Sequence, residues 1–318
     1  MRAMIVSGLV LAGLGAASAL YLMRATARLP ALSGTLVFVS DRSGVDTLYE
    51  KDLGGGDERQ LTYLSEPVRE PALSPDGTTV AFSMSGRIGL VTLGTGRFRV
   101  LTLGVEWKDS APSWRPDGKA LLVSALKPGE TNADVHLLVL PRDSPFPERK
   151  ALTETPGLDE QTPVFLPDGS GIVFARQANL FRLDFRDGRT RRLTGGFRDF
   201  RFPCVLPSGR LACLWREGKR YGIDVMDLMG RGRETIAQGS VCYRTLAPSP
   251  DGRYLAATFA LDLGFDPADA LKFRQTEEVR LLSAEGKALG NLVRSWRFDN
   301  SAPQWSGHSR EPASLPRE

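Results

Sequence analysis

Short runs in which apolar and polar residues alternate fill most of this chain, and clusters of Gly, Pro, Asp and Ser punctuate them. A period of two is the mark of strands, because successive side chains leave a strand on opposite faces. Five stretches open alike: "PALSPDGTTVAFSM" from Pro71, "PSWRPDGKALLVSA" from Pro112, "PVFLPDGSGIVFAR" from Pro163, "PCVLPSGRLACLW" from Pro203 and "LAPSPDGRYLAATF" from Leu246. In each, a glycine stands six residues after the opening position. Proline presets φ at the second turn position, Asp or Ser bonds its own backbone, and glycine takes the left-handed conformation that closes the hairpin. Each phrase thus predicts strand, tight turn, strand. The same reasoning makes Asp76, Asp117, Asp168 and Asp251 turn formers rather than ligands or catalytic acids.

Two further constants frame each phrase. A third alternating segment follows it, "TLYEKDL", "IGLVTL", "VHLLVL", "LFRLDF", "IDVMDL" or "VRLLSA". An outer strand then ends in "LT" at Thr62, Thr102, Thr153 and Thr194, or in the weaker forms at Ala237 and Val293. From each ending to the next opening position is nine or ten residues, and this holds for the last gap, Val293 to Pro303. The opening positions are spaced 41, 51, 40, 43 and 57 residues apart. Four strands recurring at such a period predict the blade of a β-propeller.

The two ends of the chain then explain each other. "GTLVFVSDRSG", from Gly34, supplies second, third and outer strands with no inner strand before it, while "APQWS", from Ala302, is an inner strand with nothing after it. Pairing Ala302 to Ser306 with Leu36 to Ser40 closes the ring and removes two apolar edges. The fold class expected is all-β: a six-bladed β-propeller of four-stranded blades over residues 34–307, closed by its C-terminal inner strand and preceded by an N-terminal hydrophobic helix. Residues 1–28 read as a signal peptide or membrane anchor, 29–33 as a linker and 308–318 as a disordered tail.

The uncharged run from Met4 to Met23 is long enough to cross a bilayer core. Ala17-Ser18-Ala19 and Ala25-Thr26-Ala27 offer small-residue cleavage sites, so a cleaved leader and a retained inner-membrane anchor both stay open. Either predicts a periplasmic or otherwise extracytoplasmic protein. A net charge of +4, from 41 basic and 37 acidic residues, is too small and mixed to indicate nucleic acid. The basic stretch from Gly188 to Arg201 reads as a solvated rim.

"PSWRPDGKALLVSA", "SDRSGVDTLYEKDLGGGDERQLT" and the recurrent "LT" resemble the TolB-type propeller repeat, over about residues 34 to 307. The resemblance implies a periplasmic, non-enzymatic propeller that binds envelope proteins, a peptidoglycan-associated lipoprotein among them. The same repeat builds the propeller of prolyl-oligopeptidase-type peptidases. The sequence shows neither the α/β domain that precedes the repeats in TolB nor the one that follows them in the peptidases, so the propeller is expected and the Tol partner network is not.

Candidate chemistry is sparse. No G-x-S-x-G occurs, and the two histidines, His136 within a strand pattern and His308 near the terminus, suit neither a triad nor a metal site. Gly-rich "DLGGGDERQ" (Asp52 to Gln60) joins two strands and reads as a hairpin loop. Cys204 and Cys213 fall on the two arms of one hairpin, nearly opposite, where small buried residues or a disulfide both fit, and Cys242 is odd. Two residues before each opening position stand Arg69, Ser110, Gln161, Arg201, Arg244 and Ser301. Propeller symmetry would set these six polar groups around one channel mouth, as a site for carboxylate or phosphate or as hydration of a wet channel.

The expected function is a monomeric, non-catalytic scaffold, without metal or cofactor, for an envelope protein, peptide or anionic ligand. The alternative is a polysaccharide lyase or hydrolase whose Arg69, Arg201 and Arg244 hold an acidic sugar. Trp305 is expected to be largely buried. The insertion from Ala260 to Glu278 is expected either to carry a short helix over the channel mouth or to pack as a loop on the blade's outer side.

Overall fold

In a computed structural model, which describes residues 29–261, 277–293 and 300–306, the chain forms six four-stranded antiparallel sheets arranged as the blades of a closed propeller. The hydrophobic run from Met4 to Met23, the body of the 260–278 insertion, His308 and the C-terminal tail lie outside the described residues. Among the described residues no helix is long and apolar enough to cross a membrane.

Blade 1 is built from both ends of the chain. Its inner strand Asn300–Ser306 pairs with Thr35–Ser40, which continues through Thr47–Asp52 to the outer Glu58–Gln60. The register sets Leu36 against Trp305 and Val37 against Gln304, then slips by a bulge so that Val39 meets Ser301. Blades 2 to 6 are continuous in sequence, with inner strands Val68–Leu73, Lys108–Trp114, Glu160–Phe165, Asp199–Val205 and Val241–Pro248.

The alternation read from the sequence decides how the blades pack. Side chains at successive positions of a second strand go to opposite neighbours, so both kinds are buried. Leu36 and Phe38 join a core with Ala256, Val279 and Leu281 of blade 6, whereas Val37 and Val39 join one with Val80, Phe82 and Val91 of blade 2. Each of the six blade interfaces has one such cluster, including the one that seals blade 6 to blade 1. That is why "LVFV" is a continuous apolar run, the pattern of a strand buried on both faces.

The turns behave as the sequence requires. Gly77, Gly118, Gly169, Gly209 and Gly252 have φ between 68° and 77°, and each donates its N–H to the carbonyl three residues back. Asp76, Asp117, Asp168 and Asp251 accept from the N–H two residues on, at 2.9 to 3.1 Å. The "LT" endings have an equally local cause. The hydroxyls of Thr62, Thr102, Thr153 and Thr194 accept from the N–H of Leu48, Ile88, Val135 and Leu180, tying the outer strand's exit to the third strand's start. Gly222 marks a close approach, since a Cβ there would lie 2.4 Å from the Trp215 ring.

Two expectations are corrected. Trp305 is half-buried, because an inner strand turns one side to the channel, and its indole donates to the Ser33 carbonyl at 3.1 Å. Cys204 and Cys213 are not opposed. The hairpin turn of blade 5 is one residue shorter than that of blade 2, Leu206 N–H reaching the Arg210 carbonyl four residues on where Ser74 reaches Thr79 five residues on, so that Cys204 meets Ala212 and packs toward blade 6 while Cys213 packs toward blade 4. Both remain thiols, and burial raises the pKa of each.

Candidate functional site

The inner strands share one irregularity that makes the channel mouth. Glu70, Ala111, Thr162, Phe202 and Ala302, each just before a proline, have φ of 49° to 51°. The ladder slips at all five, and a bulge at the same end of the sixth inner strand falls between Tyr243 and Thr245. An extra residue in left-handed conformation bends the strand and re-aims its side chains. For β-branched Thr162 this is a strained state, costing on the order of 1–3 kcal/mol.

The channel wall starts at these residues. It runs from Glu70, Ala111, Thr162, Phe202, Thr245 and Ala302 down to the Pro-Asp-Gly turns and encloses about 810 Å³. Ten prolines and the aromatic residues Trp114, Phe165, Phe202 and Trp305 are among its lining.

The six polar residues singled out in the sequence stand one position earlier, on the mouth-face ends of the inner strands and outside the channel wall. Their arginines already have carboxylate partners. Arg69 lies 3.6 Å from Asp46, the Arg201 Nε bonds both oxygens of Asp199 at 2.9 and 3.1 Å, and the Arg244 Nε lies 2.6 Å from Glu277. The Asp199 bond raises the Arg201 pKa above the usual arginine value against the pull of burial, with the Asp199 and Asp159 charges adding. Gln161 donates to Asp159 at 2.6 Å, and Ser110 donates to the Ser124 carbonyl at 3.4 Å. Ser301 is half-buried in the closing strand. Gln161 and Arg201 are brought together, in a niche of about 260 Å³ between blades 4 and 5.

Behind the mouth, buried acids are each matched to an arginine laid over an aromatic ring. Glu160 takes Arg176, stacked on Phe174 and Phe181, together with the Thr155 hydroxyl. Asp109 takes Arg149, which also covers Trp107. Asp224 takes Arg198, which lies 3.9 Å over Trp215. These pairs brace the loops that carry the chain from one blade to the next. His136 belongs to the second of them, 3.1 Å from Arg149, and burial followed by the Arg149 charge lowers its pKa, a structural role. Among the described residues, no cluster of three or more His, Cys, Asp or Glu side chains suits a metal ion.

Sequence reading missed Glu70, whose carboxylate reaches the next blade to accept from Ala111 N–H at 2.7 Å, and it missed Thr162 and Phe202. All three stand just before a proline. Residues there normally favour extended backbone, so nothing local announces a left-handed bulge.

No family model matches the sequence. A TolB homolog of Chlorobium luteolum is 34% identical over 172 residues, which cover 52% of this chain and 38% of that protein. The chain thus spans less than two-fifths of the length of the curated TolB homologs it matches. Among solved structures, TolB from Acinetobacter baumannii superposes with a TM-score of 0.70 at 22% identity, over 87% of this chain and 68% of that one. An oligogalacturonate lyase in complex with manganese superposes with a TM-score of 0.58 at 16% identity, over 83% of this chain and 75% of that one. Likenesses at this identity speak for the fold.

Proposed function

We propose that this TolB-type propeller is an extracytoplasmic binding scaffold that takes up a protein or peptide of the cell envelope at its channel mouth, without catalysis. One observation carries the reading. Among the described residues, the four most exposed large apolar side chains, Phe197 (98%), Tyr63 (79%), Val105 (75%) and Leu103 (62%), all sit in mouth-face loops. A soluble protein places such residues together where a partner covers them. The apolar channel opening on the same face suits an inserted side chain. Arg69, Ser110, Gln161, Arg201, Arg244 and Ser301 surround that opening as polar contacts for the partner. Because each of the three arginines has its own carboxylate, the reading favours a partner held by shape and neutral polar contacts over an anion held by charge.

Export follows from the hydrophobic run at Met4 to Met23, as leader or inner-membrane anchor. The rival reading, a lyase or hydrolase acting on an acidic sugar, draws on the oligogalacturonate lyase neighbour, whose likeness reaches the fold alone.

A photoreactive amino acid placed at Tyr63 or Val105 in the full chain tests the proposal in cells. Discrete protein adducts are expected there and none from Phe185, an exposed aromatic at the opposite end of its blade. Absence of protein adducts, with acidic oligosaccharides binding or being cleaved by the purified chain, would select the rival.

A further inference from the structure

The face of the Pro-Asp-Gly turns carries an apolar arc of its own. Phe98, Phe146, Phe185 and Met229 are exposed, and each sits in or beside the turn from third to outer strand, one in each of blades 2 to 5. Ring contacts of Phe98 with Phe82 and of Phe185 with Phe165 fix two of them in place. Beside them in the same turns stand the exposed arginines Arg97, Arg142, Arg186 and Arg231, again one to a blade. Among the described residues these four guanidiniums make no hydrogen bond or salt bridge, whereas Arg69, Arg201 and Arg244 at the mouth each have a carboxylate. A free guanidinium next to an apolar side chain suits phosphate headgroups and the acyl boundary beneath them.

The path of the chain says what lies against this face. Second strands run from the turns to the mouth, so Thr35–Ser40 begins on the turn face. Ahead of it, Leu29 and Leu32 pack against the core between blades 6 and 1, and the carbonyls of Ser33 and Gly34 accept from the Trp305 indole and the Leu53 N–H. The chain therefore reaches the ring from the turn side. Between Leu29 and the apolar run that ends at Met23 stand five residues, Arg24 to Arg28. Fully extended, that stretch reaches about 20 Å. If the run is held in a bilayer, the turn face and not the mouth is kept against the membrane surface.

Tether and arc occupy complementary parts of the ring. The chain comes in at blades 6 and 1, whose own third-to-outer turns, 284–287 and 53–57, offer neither an exposed large apolar side chain nor an arginine. A tether on one side leaves a disc free to swing, and a second contact across blades 2 to 5 lays it flat. Four repeats of one pattern also suit a partner that has no shape of its own.

Resting on the anchor arm of the export reading above, we propose that the turn face is a docking surface for an anionic bilayer, its four apolar side chains at headgroup depth and the arginines beside them on lipid phosphates. The mouth, with Tyr63, Val105 and Phe197, then points away from the membrane toward its partner.

The test uses the full chain in phosphatidylethanolamine vesicles with about one quarter phosphatidylglycerol, an anionic lipid. Photoreactive benzoylphenylalanine replaces Phe146 or Phe185 on one face and Tyr63 or Phe197 on the other. Lipid adducts, read by mass spectrometry, should be about tenfold more abundant at the first pair. Phosphatidylcholine in place of phosphatidylglycerol should cut them about fivefold, as should Arg97→Gln, Arg142→Gln, Arg186→Gln and Arg231→Gln together, all at exposed positions where the fold is not at stake. Equal lipid adducts on the two faces would overturn the proposal, and so would adducts of Phe146 or Phe185 to a second copy of the chain in their place. Recovery of the chain from cell envelopes without the Met4 to Met23 run would overturn it too, by removing the tether. None of these results touches the scaffold reading, which fails separately if Tyr63 and Val105 give no protein adducts.

Discussion

The two faces of this propeller are held by different physics. On the turn face, each hairpin satisfies itself within a few residues: Asp168 accepts from Ser170, Gly169 from its left-handed position donates to Leu166, and nothing beyond the blade is needed. On the mouth face, the corresponding needs are met across blades. Val68, Asp109, Glu160 and Phe200 donate their N–H groups to carbonyls of the preceding blade, Asp46, Gly86, Ala133 and Ala178, at 2.8 to 2.9 Å. Glu70 reaches Ala111 of the next blade, while the buried acids Asp109, Glu160 and Asp224 take arginines from elsewhere in their own blade or the loop leading into it. One face is therefore uniform, while the other can differ from blade to blade, and variation is what a binding face requires.

The largest break takes both faces at once. Ending the chain before Asn300 removes the inner strand that pairs with Thr35–Ser40 and bares the core between blades 6 and 1. Cooperative thermal unfolding should be lost, whereas ending the chain after Gly307 should preserve it; equal melting of the two truncations would sink the closure argument.

Next comes the mouth face alone. Arg176→Ala strands Glu160, which is fully buried and already has one unpartnered oxygen, and should cost about 3–5 kcal/mol in urea unfolding. Adding Glu160→Gln to that variant should recover part of the loss, since the orphaned charge is gone.

Thr102→Val keeps shape but removes the acceptor of the Ile88 N–H, and about 1–3 kcal/mol should go. On the turn face, Gly169→Ala forces a Cβ into φ 68° in open space, for about 1 kcal/mol. If the turn-face change proved the costlier, the contrast between the faces would be wrong.

The smallest effect is in pH. The Ser249 hydroxyl, opposed by slight burial and helped by Arg253, holds the Asp251 pKa down at about 2. An acid depressed in the folded state contributes stability that is complete above its unfolded value of about 4 and fades as pH falls through its folded value. Asp251→Asn should therefore flatten the dependence of Tm on pH between about 4 and 2 without altering it near neutrality.

Much of this was legible in the residues. Pro, Asp and Gly at fixed offsets make turns through their own backbone preferences, and strand alternation makes two-sided blades because side chains leave a strand alternately. The count of blades and the closure of Asn300–Ser306 onto Thr35–Ser40 follow from the repeat, since a three-stranded blade at one end and a lone inner strand at the other have one economical solution. Local chemistry and repetition were sufficient for those features. They were not sufficient at the mouth. Arg69, Arg201 and Arg244 look free in the sequence, yet each pairs with a carboxylate, Asp46, Asp199 or Glu277, two of these from distant stretches of chain. Cys204 and Cys213 look opposed, and a turn one residue shorter than that of blade 2 sends them to opposite sides of the blade. Thr162 looks like a strand residue before a proline. Only the ring, by fixing blade 5 beside blade 4, turns its backbone to the left-handed side and leaves its hydroxyl buried and unmet, because a bulge is chosen by the neighbours it must fit and not by the residue that forms it.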